Sequence, residues 1–282
     1  MKKLSPYLII ILSFLTIIVV GSILLALPVA TKTNESLPFI DSFFIATSAV
    51  TITGLSPITN LSVVLSPFGK VILAILIQVG GLSVVTLSVF ILILLGAKIG
   101  ISNRLLIKES LNQNHLSGLV RLVIKIVLFT FAIELLGFVI NLFVFLPEFD
   151  TKSALGLSAF HAISAFNNAG FDLFGPISMQ FYQNHLLLNI NTSILIMLGG
   201  LGFIVINELF EKKSFKKLSL HSKVVLLMNL SLWTFGLLLF KFSETSFTWL
   251  QAFFMSVSAR TAGFSTINMQ TISSFASLIF II

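Results

Sequence analysis

Glycine recurs three times in the same chemical setting. The strings are SAVTITGL around Gly54, SAFNNAGFD around Gly170 and SARTAGFST around Gly263. Phe44, Phe160 and Phe253 each stand ten residues before one of these glycines, and Leu55, Phe171 and Phe264 follow them. Chemistry at such a place belongs to the backbone. Rings of peptide carbonyls can replace the hydration shell of a permeating cation. Turning successive carbonyls one way needs backbone angles that glycine tolerates and side chains penalise. The candidate oxygen donors are therefore Thr51, Ile52, Thr53 and Gly54, then Asn167, Asn168, Ala169 and Gly170, then Thr261, Ala262 and Gly263, with Arg260 at the start of the third stretch. One such glycine alone would be explained by close helix packing, as small residues provide in membranes. Three in equivalent slots argue for one shared task.

The elements that carry these loops must cross a membrane. The 282 residues are 56% hydrophobic and only 10% charged, and the mean hydropathy is +1.08. An average soluble domain carries roughly a quarter charged residues, so a soluble domain and a disordered chain are both excluded. A pI near 9.8 does not make a nucleic-acid binder of so apolar a chain. There are no cysteines, which removes disulfides and thiolate chemistry. Apolar runs at 7–30, 71–97, 126–146, 186–207 and 224–240 predict five spans, since about 20 apolar residues cross a bilayer. The first run is longer than the core of a typical signal peptide. A sixth run begins near Thr271.

Basic residues set the orientation. Lys2 and Lys3 precede the first span, while Lys98, Arg104, Lys108, Arg121 and Lys125 lie between the second and third. Lys212, Lys213, Lys216, Lys217 and Lys223 lie between the fourth and fifth. The expected topology puts the N-terminus and both basic loops in the cytoplasm of a multi-pass protein of the cytoplasmic membrane. The segments 39–55, 153–171 and 247–264 are too short to span and suit half-helices that enter and turn back. A half-helix entering from outside aims its electronegative C-terminal end at mid-membrane. Gly80-Gly81-Leu82 and Gly199-Gly200-Leu201 then sit in equivalent places of the returning helices. The fold class is all-α integral membrane, built of helix–pore-loop–helix repeats at 1–100, 101–218 and 219–282.

Polar residues within the apolar runs are functional candidates. Glu134 lies in the middle of the third span and could pair with Arg260 or with neighbouring Asn and Ser side chains. Arg260 on the path itself would repel a cation, so its guanidinium is expected behind the loop, tying carbonyls or a carboxylate. Asp172 suits an outer mouth, where it would concentrate cations, or a turn cap. Asn141 reads as an interhelical hydrogen bonder. His115, His161, His185 and His221 show no metal spacing, and His161 reads as a packing residue. No Ser–His–Asp set, phosphate-cradling loop or catalytic carboxylate pair is present, so an enzyme is not expected.

Together the three loop strings, with QVGGLSVVT and MLGGLGFIV in the returning helices, resemble the Trk/Ktr family of bacterial potassium uptake proteins over essentially the whole chain. The short lead before the first span is more similar to the Ktr branch. The resemblance implies a pseudo-fourfold pore from four helix–pore-loop–helix units, with K⁺ or Na⁺ held by backbone carbonyls of the residues named above. It implies no other cofactor. It also implies a homodimer and a cytosolic nucleotide-binding regulatory subunit on the inner face. Each loop has one glycine where highly selective potassium channels have two, which implies weaker discrimination between K⁺ and Na⁺. The chain holds two and a half of the four units, so the expectation is a fragment of a K⁺ uptake system that does not conduct alone. A non-conducting membrane subunit is the alternative. A secondary carrier with broken helices is another, though carriers commonly show inverted repeats and these repeats all run one way.

Overall fold

The computed structural model describes residues 5–97, 99–111 and 117–281; Lys2, Lys3, Lys98 and His115 lie outside the described residues. Regular structure among them is helical, apart from one antiparallel bridge between Thr31 and Leu65. In chain order the helices are α1 (Pro6–Ala26), α2 (Phe39–Val50), α3 (Leu61–Val64), α4 (Pro67–Leu82), α5 (Val84–Leu94), α6 (Ile101–Ser110) and α7 (Leu119–Phe145). They continue with α8 (Thr151–Phe166), α9 (Leu186–Gly200), α10 (Phe203–Lys212), α11 (Leu220–Ser243), α12 (Trp249–Thr261) and α13 (Ser274–Ile281).

Three helices, α1, α7 and α11, are each long and apolar enough to cross a bilayer unbroken. At 27 residues, α7 is about 40 Å long, longer than the hydrocarbon core, so its Arg121 and Lys125 turn can reach the headgroups. The fifth span starts earlier than its apolar run suggests. Ser219 caps α11 by accepting from the Ser222 amide, and Lys223 rides on the helix.

The second and fourth spans depart from expectation. Each is broken: α4 and α5 meet at 98°, and α9 and α10 meet at 95°. The breaks fall at Ser83, with φ 68°, and Gly202, with φ 84°. Both lie three residues after the first glycine of the Gly-Gly-Leu strings, so the break is a property of the repeat.

The chain forms two compact units, one of Met1–Ile58 and Val63–Ala132, the other of Thr59–Ser62 and Ile133–Ile282. In the first, α1 packs on α2 and α4. The Thr31–Leu65 bridge is extended by Lys32 N to Val64 O at 3.0 Å and Ser66 N to Ala30 O at 2.9 Å. A second cluster joins α5, α6 and the start of α7 through Val85, Val89, Ile107, Leu119 and Val123. In the other unit, α8 packs on α9, α12 packs on α9 and α11, and α11 packs on α13. Beside its apolar core, that unit buries polar side chains and exposes large apolar ones. Asn141, Asn189, Thr192 and Ser193 are fully buried, while Leu135, Leu136, Phe143 and Ile194 face outward. Asn191 donates to the Asn141 side-chain oxygen at 2.8 Å and to the Gly137 carbonyl at 3.1 Å, and Asn141 donates to Ser158 O at 3.3 Å. Asn141 is thus the interhelical bonder its position predicts.

The two units repeat the same close approaches. A Cβ on Gly21 would fall 2.6 Å from the Leu76 side chain, and one on Gly137 would fall 2.7 Å from that of Leu195. A Cβ on Gly80 would lie 2.4 Å from the Val50 carbonyl oxygen; one on Gly199 would lie 1.7 Å from that of Phe166. Val50 and Phe166 are the last residues of α2 and α8. The Gly-Gly strings therefore let the returning helix touch the end of the half-helix backbone to backbone.

Candidate functional site

Each half-helix ends in a way that spends its amides and spares its carbonyls. At the end of α2, Ile52 N bonds Ala49 O at 3.3 Å and Thr53 N bonds Ser48 O at 2.9 Å. At the end of α8, Asn168 N bonds Ala165 O at 3.1 Å and Ala169 N bonds Ser164 O at 2.8 Å. Both are Schellman endings, which place one residue in the left-handed region. That residue is Ile52 or Asn168, each with φ 57°. Asparagine tolerates the region; for a β-branched isoleucine it is strained. The glycine two positions on is left-handed again, with φ 73° at Gly54 and 71° at Gly170.

The third loop is one residue tighter. Both Ala262 N and Gly263 N bond Ser258 O, at 2.9 and 3.1 Å, and only Gly263 is left-handed, with φ 79°. Ser48, Ser164 and Ser258 are the structurally equivalent anchors, so Phe254, not Phe253, matches Phe44 and Phe160. Counting back from the glycine misplaces the third segment by one; counting from the shared Ser-Ala pair does not. Arg260 consequently belongs to the last turn of α12, where a cation complements the helix dipole, rather than to the extended stretch.

In the second and third loops the anchoring serine also holds the residue after the glycine. Ser164 Oγ donates to Phe171 O and Ser258 Oγ donates to Phe264 O, both at 2.6 Å. In the first loop Thr53 Oγ1 donates instead to Ser48 Oγ at 2.9 Å. With the amides turned back into the helices, no described group donates to the backbone carbonyls of 52–54, 168–170 or 262–263.

The second and third loops lie against each other. Thr261 Oγ1 donates to the Asn168 side-chain oxygen at 2.9 Å, and a Cβ on Gly263 would lie 3.9 Å from the Gly170 Cα. Behind the second loop, Asn167 Nδ2 donates to the Glu134 carboxylate at 2.9 Å and to the Ile163 carbonyl at 2.9 Å. Of the partners the sequence offered for the buried Glu134, the structure supplies an asparagine. Arg260 donates to the side-chain oxygen of Asn229 on α11. Asp172 accepts from the Phe174 amide at 3.1 Å and bonds the Ser178 hydroxyl, a turn-capping arrangement.

Outside the spans, Tyr182 donates to Glu148 at 2.6 Å. Burial, and then the Glu148 carboxylate, hold its phenol well above the ordinary tyrosine value. The 3₁₀ turn that carries it is tied to the chain after the third loop by Met179 N to Ser265 O at 3.0 Å. It is tied to α12 by Gln251 Nε2 to Gln183 Oε1 at 2.9 Å. Sequence reasoning missed this clasp, because neither Gln183 nor Ser265 lies in a periodic pattern.

Comparison with known proteins places this architecture. The chain is 38% identical over 277 residues to the potassium/sodium uptake protein NtpJ of Enterococcus hirae, covering 95% of this chain and 61% of that protein. It is also 38% identical to Ktr system potassium uptake protein B of Vibrio alginolyticus, covering 97% of this chain and 62% of that one. The potassium transporter TrkH from Vibrio parahaemolyticus has the same fold, with a TM-score of 0.71 at 19% identity, over 99% of this chain and 56% of that chain. The chain thus spans about three-fifths of the length of these relatives. The family model described as TrkH, cation transport protein, matches residues 4–251, and the chain belongs to that family of multi-pass membrane transporters.

Proposed function

We propose that the protein moves K⁺, with Na⁺ as assistant or competitor, through a path lined by the carbonyls of 51–54, 167–170 and 261–263. The observation that carries this reading is the repeated loop geometry, in which amides fold back into the half-helix and the carbonyls of 52–54, 168–170 and 262–263 meet no donor among the described residues. The names of the relatives, potassium/sodium uptake and Ktr potassium uptake, support the choice of ion. The repeat boundaries are 1–100, 101–218 and 219–282, and carbonyls from the remaining length of the relatives would complete the ring. Glu134 supports the path through Asn167, Arg260 supports the third loop through Asn229, and Asp172 shapes the turn after the second. The N-terminus lies in the cytoplasm. The complete protein works as a homodimer, with a cytosolic nucleotide-binding subunit on the basic loops.

Rubidium uptake into a potassium-starved strain expressing the complete gene tests this. Saturable uptake, reduced by competing K⁺, is expected; absence of uptake at normal membrane abundance overturns the reading. Arg260→Gln in the same protein should lower abundance without changing the Rb⁺ to Na⁺ preference. A changed preference at unchanged abundance would make Arg260 a selectivity group in its own right.

A further inference from the structure

His161 is buried in the wall behind two of the loops, at 1% exposure. Its ring meets Phe174 edge-on at 5.1 Å and Phe264 at 5.2 Å, each at 68°. Phe264 directly follows Gly263, and Phe174 follows Gly170 by four residues. Nε2 is hydrogen bonded to the Thr192 hydroxyl of α9 at 2.8 Å, while Nδ1 finds no partner among the described residues. The ring's setting between the two phenylalanines therefore depends on one polar contact.

The internal repeats show that a histidine is not needed merely to fill the space. Counting from the serine anchors, the equivalent positions are Ile45 and Met255, at 0% and 2% exposure. Counting from the first glycine of each Gly-Gly string, the position of Thr192 corresponds to Leu73, also at 0%. Where one repeat has an apolar pair, the other has a hydrogen-bonded polar pair. Burying an imidazole and a hydroxyl costs free energy that two aliphatic side chains avoid. The gain is direction: a hydrogen bond fixes the ring plane, where aliphatic packing does not.

We propose that His161, held by Thr192, is a positioning residue that sets the spacing of the Gly170 and Gly263 carbonyls and thereby the preference among alkali cations. The route is short. The ring bears on Phe264, whose carbonyl Ser258 already holds at 2.6 Å, and Phe264 is bonded to Gly263. The Thr261–Asn168 contact joins the two loops, so a shift of one is felt by the other. The proposal rests on the reading of these loops as a cation path.

The test measures competition between Rb⁺ and Na⁺ for uptake by the protein expressed from its complete gene, alongside its abundance in the membrane. Thr192→Val removes the hydroxyl at constant shape, and His161→Met installs the residue of the third repeat. Each should shift the Rb⁺ to Na⁺ preference by about fivefold, the scale of one lost hydrogen bond. Thr192→Ser keeps the hydroxyl and should keep the preference, and His161→Gln, with its amide near the Nε2 position, should restore most of it. Unchanged preference in Thr192→Val overturns the proposal while leaving the transport reading intact. So does loss of Thr192→Val from the membrane, which would make the pair a folding element. Failure of the unmodified protein to take up Rb⁺ would instead strike the transport reading itself.

Discussion

At the scale of single residues, the glycines matter for how closely they let main chains approach. Gly199 gives the plainest case. A methyl group there would overlap the Phe166 carbonyl oxygen at 1.7 Å, and the far side of that contact is backbone that cannot rotate away. Gly199→Ala should lower stability by about 3 kcal/mol or more, as overpacking does, and Gly80→Ala should follow it. Gly156→Ala is the matched control. A Cβ there meets nothing within 4 Å, and alanine in place of glycine gains up to about 1 kcal/mol inside a helix. Thermal melting of the detergent-solubilised variants separates the two outcomes. Ile52 offers the opposite experiment. Its left-handed conformation, with φ 57°, costs an L-residue roughly 1–2 kcal/mol, and the equivalent residue of the second loop is Asn168. Ile52→Asn should therefore raise the melting temperature. An unchanged or lower value would show that the isoleucine side chain makes good its strain by packing.

Between residue and molecule stand the half-helix and the broken span. The half-helix α12 starts with a capping box: Gln251 N donates to the Thr248 hydroxyl at 3.2 Å and Thr248 N donates to Gln251 Oε1 at 2.8 Å. Thr248→Ala should cost about 1 kcal/mol, read as a lower melting temperature. Much of this level is legible in the sequence. Apolar runs of 17 to 24 residues, broken by a charge only at Glu134, locate α1, α7 and α11. The half-helices are legible from their shortness, and the loop glycines from their recurrence. The bends at Ser83 and Gly202 are not legible. Hydropathy is blind to direction, and a bend leaves the apolar run intact. Only the repetition of Gly-Gly-Leu followed by Ser or Gly could have hinted at them. The tighter third loop escapes for a related reason. The adjacent Phe253 and Phe254 both fit a ten-residue count to within one position, and hydrogen bonding to Ser258 decides between them. Glu134 meets one of the asparagines its position offered, whereas the Asn229 partner of Arg260 is not legible, since charge predicts attraction but not which neutral amide stands in the way.

At the scale of the whole chain, large apolar side chains such as Val20 and Ile23 in one unit and Leu135 and Phe143 in the other face outward, which identifies lipid as the solvent of those surfaces. Among the titratable groups outside the spans, Tyr182 gives a pH prediction. Its phenol loses a proton less readily folded than unfolded. Stability is therefore full below the ordinary tyrosine value of 10.0 and falls as pH rises past it, because the unfolded chain ionises first. Tyr182→Phe should flatten that alkaline decline in a melting series across pH. Orientation is equally testable. Because these 282 residues hold no cysteine, one introduced here is unique among them. Lys216→Cys should react with a membrane-impermeant maleimide only after cells are opened, and Glu244→Cys should react in intact cells. The reverse pattern would invert the proposed topology.

The meeting of a returning helix with the tip of a half-helix, seen at Gly80 over Val50 and at Gly199 over Phe166, has a mechanical consequence. Two main chains pressed together without an intervening side chain have no rotamer to swing, so that seam cannot serve as a door. Any motion that opens or closes a passage in these repeats must hinge elsewhere, and the sharp corners at Ser83 and Gly202 are where the returning helix is already free of that clamp.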